Sequence, residues 1–361
     1  MMNTLLTPEI RQVIGALHYR PSVSIMIPFE PKTNSKTELI LSLKLIAESA
    51  EKELLENYPV EVCAVITEKL RKIIRNLSFN TNKKSIAIYV SLVFEKVIYL
   101  DTTVNEKITI DDSFEIRDLV YNKKQIEKYL LLLFTDKKSE VFLINSSKFF
   151  RVVPHAPELI YAYTNDITKN DGPPSQFEFT DRVLHHMDQS LDEITLAYPL
   201  PVFIMGTDDI VDHFKKITKH AASIVDYVQG NYEYATFTEL KAALKPHIVS
   251  WHKQQKDHLL AKLQTENAKN KLITGVKNVW AEINHHKGRL LVVEKNFRYL
   301  EDHQVAGRTT AQASQTGERT IYDRDSVDDM IEKVLENGGD VEFVNDGDLD
   351  TYHHIALVQY Y

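Results

Sequence analysis

The chain has 361 residues, of which 43% are hydrophobic and 26% charged, a balance typical of soluble globular proteins rather than disordered or fibrous ones. Its single cysteine, Cys63, excludes an intramolecular disulfide and a cysteine-based zinc site, because both need several thiols. The net charge of −8 argues against a protein whose main task is to coat nucleic acid, since such proteins are usually basic.

The first 125 residues predict an α/β domain that begins with a short helix over residues 8–17. Strand 22–28 shows alternating apolar residues, and helix 35–57 follows it with an apolar stripe at three- and four-residue spacing. Ser35 and Glu38 have the spacing of a capping box at the start of that helix. The remaining predicted elements are a helix over 62–77 and strands over 85–92, 96–102 and 107–110.

Residues 126–266 predict a second α/β domain, with a polar loop over 161–180 that contains Gly172, Pro173 and Pro174. Apolar runs predict its strands, and amphipathic stretches predict its helices, with Thr238 as a candidate cap of the last one. The predicted strands are 129–134, 141–145, 148–153, 201–205 and 222–228, and the predicted helices are 180–197, 208–220 and 236–266.

Residues 267–361 predict a third domain that starts with a helix over 268–284. A polar loop is expected over 301–323, because this stretch has few large apolar residues. Gly338 is placed to end a helix over 326–337. The predicted strands are 289–294, 341–344 and 355–360.

Charge is distributed unevenly along the chain. Residues 69–84 carry six cationic residues and no acidic one, which predicts either an RNA-contacting patch or a solvated surface. Residues 241–298 hold twelve basic and four acidic residues, whereas residues 323–350 hold eleven acidic and two basic ones, which suggests an acidic C-terminal face for a protein partner. The candidate RNA-binding residues are Lys69, Arg71, Lys72, Arg75, Lys83 and Lys84.

No catalytic or cofactor motif is apparent, since the sequence lacks a G-x-S-x-G elbow, a Walker loop and a G-x-G-x-x-G loop. Adjacent histidine pairs such as His353 and His354 point to different sides of an element and predict no metal site. Asp208 and Asp209 open a helix, where acidic residues favour capping over a two-metal nuclease site. We therefore expect no cofactor and no metal.

The chain also lacks a stretch of about 18 apolar residues, so no transmembrane helix is predicted. Residues 1–17 show neither the basic region nor the apolar region of a signal peptide, and we expect a cytoplasmic protein.

Several segments of the second half resemble the peptide-chain release factor and Pelota superfamily, in their order and spacing. The resemblance points to the bacterial archaeo-eukaryotic release-factor-like branch and covers residues 129–361 best. The segments that carry it are the strand 199–206 (PLPVFIMG), the turn 225–231 (VDYVQGN), the passage 287–294 (KGRLLVVE), the helix and strand 328–344, and the final strand 355–360 (IALVQY).

The resemblance implies three domains of α/β class. These are an N-terminal α/β domain over residues 1–125, a ribonuclease H-like middle domain over 126–266, and a C-terminal α/β/α domain of the Pelota or kink-turn-binding type over 267–361. In true release factors a Gly-Gly-Gln tip on the middle domain promotes hydrolysis of the peptidyl-tRNA ester. The corresponding loop here is Gly172, Pro173, Pro174, Ser175 and Gln176, in which the glutamine is present without the two glycines.

The resemblance therefore predicts a ribosome-associated translation factor homologue of the rescue or hibernation type, without peptidyl-tRNA hydrolysis. Its expected partner is the ribosome or ribosomal RNA. Two alternatives stay open, an RNA-processing nuclease on the same scaffold and a protein-interaction adaptor that uses the acidic C-terminal face.

Overall fold

A computed structural model describes residues 8–16, 20–125, 128–135, 139–145, 148–152, 176–285, 288–299 and 326–360, with only the backbone given for 176–180. These residues form a mixed α/β structure with three sheets, as the α/β fold class predicts. The chain divides into two compact units, one formed by residues 1–126 with 260–361 and the other by residues 127–259. None of the described helices combines the length and the apolar character needed to cross a bilayer.

The first sheet of the first unit is antiparallel, with strand order β3-β2-β1-β4. Helices α2 and α3 cover one face of it, where Leu43, Ile46, Ile66 and Leu70 join the strand residues in one apolar cluster. The elements are α1 (Pro8–Ile14), β1 (Ser22–Pro28), α2 (Lys36–Asn57), α3 (Val60–Asn76), β2 (Ser85–Val90), β3 (Glu95–Leu100), β4 (Lys107–Asp111) and α4 (Arg117–Lys124).

The capping box at the start of α2 is confirmed. The backbone N–H of Ser35 donates to Glu38 Oε2 at 3.0 Å, and the backbone N–H of Glu38 donates to Ser35 Oγ at 3.2 Å. Each bond satisfies a donor that the first helical turn leaves without an intrahelical partner. Hydrogen bonds to the Glu38 carboxyl from the Ser35 backbone N–H, and next from the Ser35 side chain, lower the pKa of Glu38.

The second sheet of the first unit has the order β10-β13-β11-β12, in which only β11 and β12 run parallel. Gly338 adopts φ +79° and ends α9, as predicted. The next residue, Gly339, approaches Gly288 so closely that a Cβ atom would lie 2.6 Å from the Gly288 carbonyl oxygen. The elements are β10 (Leu272–Thr274), α8 (Val276–Asn284), β11 (Gly288–Glu294), α9 (Ser326–Glu336), β12 (Asp340–Val344), a 3₁₀ turn (Asp350–Tyr352) and β13 (Ile355–Gln359).

The two sheets of the first unit share one hydrophobic core. Tyr89 and Leu119 from the N-terminal segment belong to the same buried cluster as Leu291, Met330 and Leu357 from the C-terminal segment. The predicted division into three domains at residues 125 and 266 stays a prediction, as do the ribonuclease H-like and kink-turn-binding assignments.

The second unit, residues 127–259, contains a five-stranded sheet with the order β7-β6-β5-β8-β9. Strands β5, β8 and β9 are parallel, while β6 and β7 extend the sheet as antiparallel hairpins. Helices α5 and α6 cover one face and α7 covers the other. The elements are β5 (Lys128–Phe134), β6 (Ser139–Asn145), β7 (Lys148–Val152), α5 (Gln176–Ala197), β8 (Val202–Gly206), α6 (Asp208–Ile217), β9 (Ile224–Gln229) and α7 (Phe237–Ala268), which continues into the first unit.

Four details differ from the sequence-based expectations. Helix α4 was not predicted, and β10 lies inside the stretch that was expected to be helical. Helix α5 begins at Gln176, four residues before the expected start. Thr236, rather than Thr238, caps α7, because its hydroxyl accepts from the Glu239 backbone N–H at 3.3 Å and its own N–H donates to Glu239 Oε2 at 2.7 Å.

Candidate RNA-contact surface

The six predicted RNA-binding residues follow the last two turns of α3 and the loop that leads into β2. Arg71, Lys72, Arg75 and Lys84 are exposed, whereas Lys69 and Lys83 are half-buried. Lys69 Nζ donates to the backbone carbonyls of Ser91 at 2.9 Å and Leu92 at 2.8 Å, so its main contacts are within the protein.

Most of the other cations face carboxylates from other parts of the unit. Because these acidic residues are remote in sequence or lie just before the basic run, the sequence over 69–84 overstates the local positive charge. The ion pairs are Arg71–Glu51 at 2.9 Å, Lys72–Glu95 at 3.5 Å, Arg75–Glu68 at 4.0 Å and Lys83–Asp101 at 2.7 Å.

Exposed pairs of this kind exchange readily with other anions, since each contributes only about 0–1 kcal/mol. We expect the variant Arg71→Glu, Lys72→Glu, Arg75→Glu to associate more weakly with ribosomes and to show a shallower salt dependence, because three potential phosphate contacts are lost. Cosedimentation at two salt concentrations measures both quantities. Equal cosedimentation of the variant and the wild type would reduce the patch to a solvated surface.

The segment at the release-factor tip position falls largely outside the described residues. Gly172, Pro173, Pro174 and Ser175 are in that part of the chain, whereas Gln176 is the first residue of α5. The backbone therefore places Gln176 at a helix start rather than in the middle of a loop.

A buried arginine connects the two sequence segments of the first unit. Arg117 opens α4, and its Nε lies 2.6 Å from Asp328 Oδ1 at the start of α9. Its Nη1 donates to the Phe297 carbonyl oxygen at 2.7 Å. A guanidinium is always charged, so burying it requires such partners.

Part of the acidic C-terminal segment is buried or forms ion pairs within the first unit. Lys124 Nζ lies 2.9 Å from Asp340 Oδ1 and 2.8 Å from Glu342 Oε1. Burial alone would lower the pKa of Lys124, but the two carboxylates outweigh it and the pKa is raised. Asp329 and Glu332 are buried as well. The charge that remains exposed for a partner is thus smaller than the sequence suggests, and the partner itself stays a prediction.

Glu332 is the most strongly perturbed acid of this segment. Burial, followed by the charges of Glu336, Asp329 and Asp328, raises its pKa to about 8. Raised pKa values of this size occur at catalytic sites and also in structural clusters. Here the causes are the apolar core around α9 and the acidic neighbours on the same helix.

Glu294, Asp350 and His354 form a group whose ligand-type atoms all lie within 4.8 Å of one another. The sequence did not suggest it, because the three residues come from β11 and from the turn before β13. Glu294 Oε1 accepts the backbone N–H groups of Gly347 at 3.0 Å and Leu349 at 2.8 Å, and Oε2 lies 2.8 Å from His354 Nδ1. These bonds give the buried carboxylate a structural task, which is to hold the turn against β11.

Comparison with known proteins finds a family that is similar to the middle of the chain. The sequence profile of bacterial archaeo-eukaryotic release factor family 3 matches residues 129–287, which is somewhat less than half of the chain. No curated protein matches the chain.

Several solved structures align with the chain at low similarity. They include archaeal Pelota from a ribosome-bound model with ABCE1 (10% identity, 100% of this chain and 95% of that chain, TM-score 0.41). S. cerevisiae Dom34, a translation termination-like factor, aligns at 10% identity over 78% of this chain and 74% of that chain, with a TM-score of 0.40. Archaeoglobus fulgidus Pelota aligns at 13% identity over 76% and 79%, with a TM-score of 0.38. At these scores the likeness assigns no function.

The profile match falls on the segment that carries the strand 199–206 and the turn 225–231, which the sequence had pointed to. The family resemblance is therefore confirmed over residues 129–287, where the chain matches the profile of bacterial archaeo-eukaryotic release factor family 3.

Proposed function

We propose that the protein is a ribosome-associated factor of the rescue or hibernation type that acts without hydrolysing peptidyl-tRNA. Similarity of residues 129–287 to a release-factor-like family supports the association with ribosomes. The observation that carries the second half of the proposal is the sequence Gly172-Pro173-Pro174-Ser175-Gln176 at the tip position.

The two prolines change what the tip backbone can do. Proline fixes φ near −65° and has no N–H, whereas glycine reaches conformations that other residues avoid and keeps its donor. Pro173 and Pro174 thus remove two donors and restrict two φ angles at the position where a release factor has flexible glycines. A backbone of this kind cannot reproduce the donors and the freedom of a Gly-Gly-Gln tip.

We expect purified protein to release labelled peptide from stalled ribosomes no faster than buffer alone. The variant Gln176→Ala should behave identically, since Gln176 without the glycines has no hydrolytic task. A release factor with an intact Gly-Gly-Gln tip is the positive control. Release above background that disappears in Gln176→Ala would overturn this half of the proposal.

Association itself is tested separately on sucrose gradients of lysates from growing and starved cells. Migration of the protein with ribosomal particles supports the proposal, and enrichment in starved cells favours hibernation or rescue over termination. A protein that stays at the top of both gradients favours the adaptor alternative. Metal-dependent cleavage of added RNA would favour the nuclease alternative.

A further inference from the structure

Helix α7 carries an exposed set of lysines within the second unit. Between Leu240 and Lys256 the sequence contains four lysines and no acidic residue. Lys241, Lys245 and Lys253 are exposed and Lys256 is half-buried. These four residues are called the α7 lysine face below.

The four lysines share one side of the helix. At about 100° per residue they fall within an arc of about 120°, and at about 1.5 Å per residue they span about 22 Å along the axis. An adjoining stripe of α7 packs on the sheet through the buried residues Leu240, Leu244 and Ile248. Packing of that apolar stripe therefore fixes the direction in which the lysines point.

Positive charge on this face is offset less than it is near α3. Among the described residues, Lys241, Lys245 and Lys253 form no ion pair, whereas Arg71, Lys72 and Arg75 each face a carboxylate. Exposed ammonium groups outside any ion pair, each with three donors, suit a row of phosphates. An attraction of this kind does not require the protein as a whole to be basic.

An aromatic pair stands beside the first lysine. Phe237, which is 54% exposed, precedes Lys241 by about one helical turn and stacks on Phe149 of the edge strand β7, with ring centroids 4.9 Å apart. Exposed aromatic rings next to cations are the usual platform for unpaired bases. An acidic protein surface would use the cations but would gain little from such a ring, so the combination favours RNA.

We propose that the α7 lysine face binds the phosphate backbone of single-stranded RNA, with Phe237 as a stacking surface for a base. This inference rests on the proposed function, because it names the surface through which the protein would contact ribosomal or messenger RNA. According to this inference, the main RNA contact lies on the second unit and not on the α3 segment, where carboxylates pair with the cations.

The test compares the wild type with the variant Lys241→Gln, Lys245→Gln, Lys253→Gln. Glutamine has a helix propensity close to that of lysine, so α7 should be retained. The probe is a labelled single-stranded RNA of about 20 nucleotides, measured by fluorescence anisotropy at several salt concentrations. We expect the Kd to rise on the order of tenfold at low salt and the slope of log K against log salt to fall by about 2, at about 0.7 per lost contact.

A matched control is the variant Lys215→Gln, Lys216→Gln, Lys219→Gln. It removes three exposed lysines from the same unit and changes the net charge equally, and it should bind RNA like the wild type. Polyglutamate should compete poorly with the RNA. Equal losses in both variants, or efficient competition by polyglutamate, would overturn the inference in favour of nonspecific charge or an acidic protein partner.

Failure of this inference and failure of the proposed function are distinguishable. If the wild type migrates with ribosomes while both triple-glutamine variants bind the RNA probe with the wild-type Kd and salt slope, the α7 lysine face is rejected and the proposed function stands. If the wild type binds neither ribosomes nor the RNA probe, both are rejected. Loss of RNA binding in the α7 variant alone supports the inference.

Discussion

Replacing Glu332 by glutamine should stabilise the protein at neutral and mildly alkaline pH and have little effect near pH 5. The pKa of Glu332 is raised from 4.5 to about 8 in the folded protein, mainly by burial. Between these values the unfolded chain ionises this group while the folded protein still holds its proton, so stability falls as the pH rises. Glutamine is neutral throughout, and its advantage should grow by on the order of 3 kcal/mol between about pH 5 and about pH 8.

The measurement is urea unfolding followed by tryptophan fluorescence in a Trp251→Phe background. Trp280 is then the remaining tryptophan, and it packs against the core of the first unit with Lys333 Nζ 4.1 Å above its ring. The control is Glu56→Gln on the exposed surface of α2, which should leave the pH dependence unchanged. A Glu332→Gln variant with the wild-type pH profile would show that Glu332 is ionised in the folded protein at little cost.

Replacing Arg117 by methionine should destabilise the first unit by about 3 kcal/mol. The change removes the cation from Asp328, which is only 16% exposed, and the donor from the Phe297 carbonyl oxygen. The loss is large because the remaining carboxylate stays partly buried without its partner, not because the pair itself is strongly favourable. The same Trp280 fluorescence reports the unfolding.

The matched control is Arg75→Met, which removes an exposed arginine 4.0 Å from Glu68 and should change the stability by less than about 1 kcal/mol. Combining Arg117→Met with Asp328→Asn should recover part of the loss, because the isolated charge is then gone. Equal stability losses for Arg117→Met and Arg75→Met would contradict the role assigned to burial.

Most helices and strands could be predicted from the sequence because the residues that produce the pattern lie within the element itself. The stripe of α2 and its Ser35–Glu38 box are both contained within the helix and its first turn. Strand β1 has the alternating apolar residues Val23, Ile25 and Ile27, and its predicted and observed bounds agree. In each case the signal extends over enough residues to be distinguished from chance.

The missed elements depend on tertiary contacts. Helix α4 is short and consists mostly of polar residues. It buries Arg117 and Asn122, residue types that are expected on the surface when only the sequence is known. Strand β10 has only three residues and exists because it pairs with β13, more than eighty residues later. Neither the contacts that bury Arg117 nor the pairing of β10 with β13 can be recognised from the local sequence.

The candidate site was less predictable than the fold for a related reason. Counting charges along residues 69–84 finds six cations, but Glu51, Glu95 and Asp101 lie near them only after folding. The basic excess after residue 241 was visible in the sequence, yet its division into a buried stripe and a lysine face required the packing of α7. Family resemblance located the tip segment, which no composition argument would have singled out.

The shared core of the first unit has a consequence for synthesis on the ribosome. The buried cluster that contains Tyr89 acquires Met330 and Leu357 only after almost the whole chain has been translated. The second unit draws its contacts from residues 127–259 and is complete much earlier. Domains generally fold as their residues emerge from the ribosome. The N-terminal sheet therefore keeps apolar surface exposed while the second unit, which follows it in the chain, is synthesised and folds. A nascent chain that stops before β13 therefore has an incomplete hydrophobic core in the first unit, whereas all residues of its second unit are present.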